Sequence, residues 1–267
     1  MPFQAARKID VQQLSPSGIK QGERSVAVES PVAISFLGIG YAVMMATPAD
    51  LEDFGVGFAF SERIIDRPDQ VIDIGVIEEA RGVLLNVEVV RARHDVVLKR
   101  VRHRVSDSSC GACGIENLDQ ALRPLPRVTR PASAISRSAL FQALATVRAH
   151  QPVNRSTGAV HAAALFDPYG KLISAREDVG RHNALDKLIG HCLRTRADPA
   201  AGFVLLTSRC SYELVEKAAL ANIPLLMTVS APTTLAVDRA REAGLTLIAL
   251  ARSDEMLVAS DPHRLFS

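Results

Sequence analysis

Along the first half of the chain, apolar side chains return mostly at every second position. Residues 25–47, "SVAVESPVAISFLGIGYAVMMAT", carry β-branched residues in alternation, broken at "LGIG". That pattern predicts a hairpin. Residues 47–65, "TPADLEDFGVGFAFSERII", open on Thr-Pro and early acids, as helix N-termini do. Residues 71–90, "VIDIGVIEEARGVLLNVEVV", alternate again, with a turn near Arg81 and Gly82. A stretch with three prolines among basic residues, "LRPLPRVTRPAS" at 122–133, then predicts a boundary.

Beyond it the rhythm changes. The segment 136–150 predicts a helix, 160–166 a strand, "DPYGK" a turn and 172–178 a second strand of a hairpin. A helix over 183–195 follows, then strand 203–209, helix 211–222, strand 224–230, helix 233–244 and strand 245–251. Short apolar strands alternating with amphipathic helices predict a mixed, largely parallel sheet with helices on its faces. The fold class is therefore α/β, with an α+β, strand-rich domain over 1–130 and an α/β domain over 131–267. In such sheets ligands bind beyond the carboxyl ends of strands. Here those ends are "TSRCSYE", "VSAPTT" and "ARSDE".

Composition narrows the classes. The chain has 267 residues, 48% of them hydrophobic, enough for one large core or two modest ones. A net charge of +2 offers no polycation for nucleic acid. The charge is uneven, however: residues 91–105, "RARHDVVLKRVRHRV", form a basic strip that reads as a solvated strand face and suits an anionic partner. No apolar run approaches the ~20 residues needed to span a bilayer, and the N-terminal segment lacks the apolar core of a signal peptide. Four cysteines are too few for a disulfide scaffold in a chain of this size, which points to a reducing, cytoplasmic setting.

Two of the four cysteines stand as Cys-x-x-Cys, Cys110 and Cys113, in "SDSSCGACGIENL". A thiol attacks only as thiolate, which nearby cations and helix N-termini favour. The basic strip lies before the pair, and "IENLDQAL" could begin a helix after it. Disulfide exchange of the thioredoxin kind wants a strongly apolar strand before the pair, and here the strip is basic. A zinc site needs two more ligands; Cys192 sits in an apolar helix and Cys210 has no partner at ligand spacing, so no metal ligand is assigned. A sulfur carrier needs one accessible nucleophilic cysteine, which fits. Two small residues buried in a tight turn would be the structural alternative, against which the polar, glycine-rich setting argues.

Other candidates lie at turns. In "REDVGRHNALDKLIG" (176–190), a strand end, a glycine turn and a helix offer backbone N–H groups to an anion, with Arg181 and His182 adding donors. An ordinary capped helix explains the same residues, with Asp178 or Asn183 as cap. Ser208, Arg209 and Ser211 sit at a strand-to-helix turn, and Cys210 there reads as a packing residue. Ser230, Thr233 and Thr234 are capping residues taken singly, but three polar turns at strand ends favour a site. His161 is not followed by the His-x-Glu of a zinc deaminase, because position 163 is alanine. It reads as a hydrogen-bonded core histidine.

Together "SSCGACG", "TGAVHAAALFD", "REDVGRHNALDKLIG", "TSRCSYELVEKAAL" and "VSAPTTLAVDRA" closely resemble the formate dehydrogenase accessory sulfurtransferase family, in order from about Ser30 to the C-terminus. The resemblance implies that the chain takes sulfur from a cysteine desulfurase as a persulfide. It implies transfer of that sulfur to the molybdenum cofactor, bis-molybdopterin guanine dinucleotide, which formate dehydrogenase requires. Cys110 would then bear the persulfide, with Cys113 its partner. The second domain would share the three-layer cytidine deaminase fold without its zinc chemistry. The cofactor, mimicked by GDP-like nucleotides, would be met by Leu250, Ala251, Arg252, Ser253, Asp254 and Glu255. Relatives can carry a Lys-Pro-Gly-Arg-like turn there, where this chain keeps one cation and adds two acids. Arg181, His182 and Arg209 are the candidate phosphate contacts. A homodimer is also expected. Three other readings compete: a chaperone that holds cofactor or apoenzyme without moving sulfur, a thiol–disulfide oxidoreductase, and a zinc-dependent deaminase-like hydrolase.

Overall fold

The computed structural model of the protein describes residues 4–106 and 122–266. Cys110, Cys113 and most of the helix expected after them lie outside these residues. Among the described residues, the first half forms β1 (Ala6–Ser15), β2 (Gly18–Ala27), β3 (Ser30–Phe36), β4 (Ile39–Ala46), α1 (Leu51–Ser61), β5 (Val71–Glu79), β6 (Gly82–Val89) and α2 (His94–Ser106). The second half forms α3 (Arg137–Val147), α4 (Pro152–Thr157), β7 (His161–Phe166), β8 (Leu172–Asp178) and α5 (Arg181–Thr195). It continues through β9 (Phe203–Leu206), α6 (Tyr212–Leu220), β10 (Leu225–Thr228), α7 (Thr234–Ala243), β11 (Thr246–Ala249) and β12 (Leu257–Ser260).

The fold is mixed α/β. A six-stranded sheet runs β12-β11-β10-β9-β7-β8, with β9, β10 and β11 parallel and the other neighbours antiparallel. A four-stranded sheet runs β4-β3-β6-β5, with only β3 and β6 parallel. β1 and β2 pair with each other as a separate hairpin. The larger sheet is covered on both faces. Leu165, Val204, Leu206, Leu226 and Leu247 point into a core with residues of α5, α6 and α7. Phe166, Phe203, Leu205, Leu225 and Met227 point the other way, onto α3. This two-sided burial explains why these strands read as continuous apolar runs rather than as alternation. The smaller sheet buries only the face that carries Val32, Ile34, Phe36, Leu85 and Val87, against Phe54, Phe58 and Ala59 of α1.

Several elements differ from expectation. The basic strip is not a strand: its backbone forms a short 3-10 turn and then α2. Val97 is fully buried and Val101 is partly buried against the smaller sheet's core. The i, i+4 spacing of these two valines fits a helix face. The thioredoxin argument from a basic strand therefore rests on a helix instead. The N-terminal hairpin, α4 and β12 carried no predicted element. α5 begins at Arg181, two residues before the expected start, so Arg181 and His182 occupy its first turn.

The two halves meet where α1 crosses α5. A β-carbon on Gly57 would lie 1.8 Å from the Asp186 carbonyl oxygen, and one on Gly190 would lie 1.8 Å from that of Asp53. Only glycine at both positions lets the helix backbones touch. Charges close the seam. Asp53 accepts from Arg176 at 2.8 Å and from Arg194 at 2.5 Å, while Asp186 pairs with Lys217 and accepts from Ser61 at 2.6 Å. The proline-rich stretch is also anchored, with Val128 buried and its N–H donating to the Ala243 carbonyl at 2.8 Å.

Deepest in this seam lie Asp178, at the end of β8, and Lys187 on α5, both wholly buried and 2.6 Å apart. The carboxylate also accepts from the Thr47 N–H at 3.0 Å, the Gly180 N–H at 2.8 Å and Asn183 Nδ2 at 3.0 Å. Lys187 Nζ donates in addition to the Thr47 carbonyl at 2.8 Å. Burial pulls the lysine below its ordinary pKa, and the carboxylate opposes that pull. Removing one partner of such a pair strands the other charge, at a cost of about 3–5 kcal/mol. Lys187→Met should lower the urea-unfolding free energy by about that amount, and Asp178→Asn added to it should recover part of the loss. A loss under about 1 kcal/mol would show that the pair is not the anchor.

Candidate functional site

The carboxyl ends of β9, β10 and β11 lie along one edge of the larger sheet. Because β7 runs antiparallel to β9, its first residue, His161, lies at that same edge, opposite Asp178 in register. The edge therefore collects His161, the turn from Asp178 to His182, residues 207–211, Ser230 and residues 250–255.

Backbone pairing makes this edge a firm floor. Thr207 exchanges bonds with Ala162, at 3.0 Å through its N–H and 2.8 Å through its hydroxyl. Cys210 and Thr233 link the two neighbouring turns, Cys210 N–H to the Ala231 carbonyl at 3.2 Å and Thr233 N–H to the Cys210 carbonyl at 3.0 Å. Thr233 also caps α7 through the Ala236 N–H at 3.2 Å. The Leu250 N–H donates to the Ser230 carbonyl at 3.3 Å, and the Ala251 N–H to that of Thr228 at 3.1 Å. Leu250 sits at φ 49°, a left-handed conformation that is uncommon outside glycine, and it turns the chain sharply outward. The Ala251 methyl is buried in the core, so only its backbone faces the edge. Arg252, Ser253, Asp254 and Glu255 are exposed. The Arg252 guanidinium folds back onto the carbonyls of Val229 and Ala251.

Above this floor stand two arginines. Arg209 is exposed and, among the described residues, makes no hydrogen bond or ion pair through its side chain. Arg181 is half-buried, and its Nε is buried without a partner. Both raise the positive potential at His161, whose pKa is lowered by burial first and then by Arg181 and Arg209. Asp178 opposes that shift, but its carboxylate is already committed to Lys187 and three further donors. The edge therefore presents two cations and a neutral, half-buried imidazole, as an anion site would. His161, read from sequence as a core residue, lies within it.

His182 turns elsewhere. It lies 3.3 Å from Glu213 and lines a cavity of about 370 Å3 between β4, α1 and α6, with Tyr212, Glu216 and Lys217. Burial, then Lys217 and Arg181, press its pKa down to about 4. The structure thus brings Arg181, Arg209 and residues 250–255 to one edge, while the His182 imidazole faces the cavity beside it.

The remaining cysteines are poor nucleophiles. Cys192 and Cys210 are buried, and burial pushes their thiols up to about 11 and about 12. At neutral pH both stay protonated. Among the described residues no three His, Cys, Asp or Glu side chains gather as a ligand set, and no helix is long and apolar enough to cross a membrane.

The His182 geometry carries a pH signature. With a folded pKa near 4 against the ordinary 6.5, the unfolded chain binds this proton first. Stability from the neutral ring is complete above pH 6.5 and is lost as pH falls toward 4. His182→Gln should therefore flatten the decline in Tm between pH 6.5 and 4 relative to wild type. Parallel curves would mean that the ring is not held neutral.

Residues 27–266 match the model of the FdhD/NarQ family. A sulfur carrier protein FdhD of Xanthomonas campestris pv. campestris strain B100 is 48% identical over 240 residues, which cover 90% of this chain and 85% of that protein. A sulfur carrier protein FdhD of Agrobacterium fabrum strain C58 is 41% identical over 244 residues, covering 91% and 90%. A crystal structure described as that of a formate dehydrogenase accessory protein from Desulfotalea psychrophila superposes with a TM-score of 0.76 at 25% identity, covering 98% of this chain and 99% of that one. The chain, with its unpaired arginines at the sheet edge and its Cys-x-x-Cys segment, belongs to the FdhD/NarQ family.

Proposed function

We propose that this protein is a sulfur carrier in the maturation of formate dehydrogenase. In this reading Cys110 receives sulfur from a cysteine desulfurase and delivers it to the molybdenum cofactor, bis-molybdopterin guanine dinucleotide, held at the edge of the six-stranded sheet. The observation that carries the cofactor half is the pair Arg181 and Arg209, two guanidinium groups without counter-ions beside a neutral His161. A polyanion with guanosine diphosphate arms supplies the acceptors they lack, and bidentate arginine contacts suit phosphate. Residues 250–255, turned outward by Leu250, would meet a nucleotide arm through backbone groups and the exposed Ser253. Arg252 is engaged with two carbonyls, so Arg181 and Arg209 carry most of the charge recognition. The helices on both faces of the mixed sheet are in keeping with a three-layer, cytidine-deaminase-like domain.

The sulfur half follows from the state of the thiols. Cys192 and Cys210 are held protonated by burial, which leaves Cys110 and Cys113 as the available nucleophiles. The Cys110 thiolate attacks the terminal sulfur of the donor's persulfide. One S–S bond forms at Cys110 as the donor's S–S bond breaks, and the donor cysteine leaves as thiolate. Release of that sulfur as sulfide needs two electrons. Attack of the Cys113 thiolate on Cys110 Sγ supplies them and leaves a Cys110–Cys113 disulfide. On this account the protein acts as a sulfurtransferase with a persulfide intermediate, in the cytoplasm where thiols stay reduced.

The two halves should separate by mutation. Arg181→Ala should weaken GDP binding in calorimetry about 10-fold or more, the size expected for a lost charge-assisted contact. Cys110→Ala should abolish activation of apo-formate dehydrogenase and leave GDP binding unchanged. Unchanged GDP affinity in Arg181→Ala would remove the phosphate assignment. Full activation by Cys110→Ala would favour a chaperone that moves no sulfur.

A further inference from the structure

We propose that His161 is the third cation of the sheet-edge site: its ring takes up a proton when a phosphate group binds between Arg181 and Arg209. This deepens the cofactor reading above and rests on it.

The ring is placed for that part. Further along β7, Ala163 and Leu165 are buried in the core beneath α5, α6 and α7. Side chains alternate across a strand, so His161 emerges on that same face, where α5 begins at Arg181 and α6 at Tyr212. It forms the end rung of the ladder with β8, opposite Asp178. The residue is half-buried, yet neither ring nitrogen makes a hydrogen bond among the described residues. A histidine kept for packing would bond at least one nitrogen to a neighbour. This one stands at the edge with both nitrogens unbonded.

Among the described residues, three charged groups act on the ring: Arg181 on α5, Arg209 on the turn between β9 and α6, and Asp178 on β8. Other ionisable groups of the edge are occupied or turned away. The His182 ring faces the cavity with Glu213. Lys187 is paired with Asp178, Arg252 is folded onto backbone carbonyls and Cys210 is held protonated. Asp254 and Glu255 are exposed on the outward turn.

In the free protein, burial and the two arginines hold the ring neutral. A phosphate reverses that balance. It offsets both arginine charges and sets its own negative charge beside the ring, and an opposite charge within about 4–6 Å favours the protonated form. Hydrogen bonding favours the same change. Neutral imidazole offers one donor and one acceptor nitrogen, imidazolium offers two donors, and ionised phosphate oxygens only accept. A third arginine here would repel the other two in the empty site. A histidine brings its charge only with the ligand.

Calorimetric titration of the full chain with GDP, at neutral pH in buffers of different ionisation enthalpy, tests this. Wild type should take up at least about 0.3 proton more per GDP than His161→Gln, the fraction expected when a ring pKa rises by one unit or more across neutrality. The ratio of wild-type to His161→Gln affinity should accordingly grow about 10-fold from pH 8 to pH 6. The GDP phosphate titrates with both proteins, so the difference between them belongs to the ring. Histidine-ring NMR of wild type, assigned through the chain, reads the same event without a variant, and GDP should raise the His161 pKa by about one unit. Equal proton uptake with a constant affinity ratio, or a His161 pKa that GDP leaves unmoved or lowers, would overturn the inference and leave the cofactor reading standing. Wild type that binds no GDP would remove the cofactor reading itself, and this inference with it.

Discussion

The arrangement depends on one buried contact, the ion pair between Asp178 and Lys187. Two charges with no solvent exposure persist only if every lone pair and proton is used. Here the carboxylate takes donors from Thr47, Gly180, Asn183 and Lys187. The ammonium also reaches the Thr47 carbonyl. Thr47 belongs to the junction between β4 and α1, so the pair ties the smaller sheet to the strand-to-helix turn of the larger one. The glycine contact of α1 on α5 sets the distance at which this can happen. A single polar knot therefore fixes both the relation of the two halves and the entry of α5.

That entry decides the chemistry of the edge. Asp178 is the acid nearest to Arg181 in sequence, and its carboxylate is consumed by Lys187. Arg181 is left with a buried Nε that nothing in the described fold satisfies. Arg209, brought alongside by the order β9-β7-β8, is equally unpaired. A positive edge thus arises in a chain whose net charge is only +2. Thr207, Cys210 and Thr233, which tie the turns together, keep those cations on a rigid support rather than on a loose loop.

Much of this was legible in the sequence, for physical reasons that differ by element. The strands of the larger sheet are short apolar runs, and their order followed from alternation with helices. The turn at 178–182 was visible as a strand end before a helix. Its division of labour was not, because the partner of Asp178 lies nine residues on and that of Lys187 includes Thr47, 140 residues away. His161 looked like a core residue for the same reason, since only the topology sets the start of β7 beside the end of β9. The basic strip was misread because arginines dilute the two valines that define its buried face. The N-terminal hairpin left no period-two signal because neither of its faces is buried within the chain.

The central claim is that sulfur rides on Cys110. Intact-protein mass spectrometry after incubation with a cysteine desulfurase and cysteine tests it most directly. The account predicts a gain of about 32 Da, one sulfur, mapped to Cys110, removed by reductant and absent from Cys110→Ala. A protein that binds GDP yet gains no mass, or gains it equally in Cys110→Ala, would contradict it.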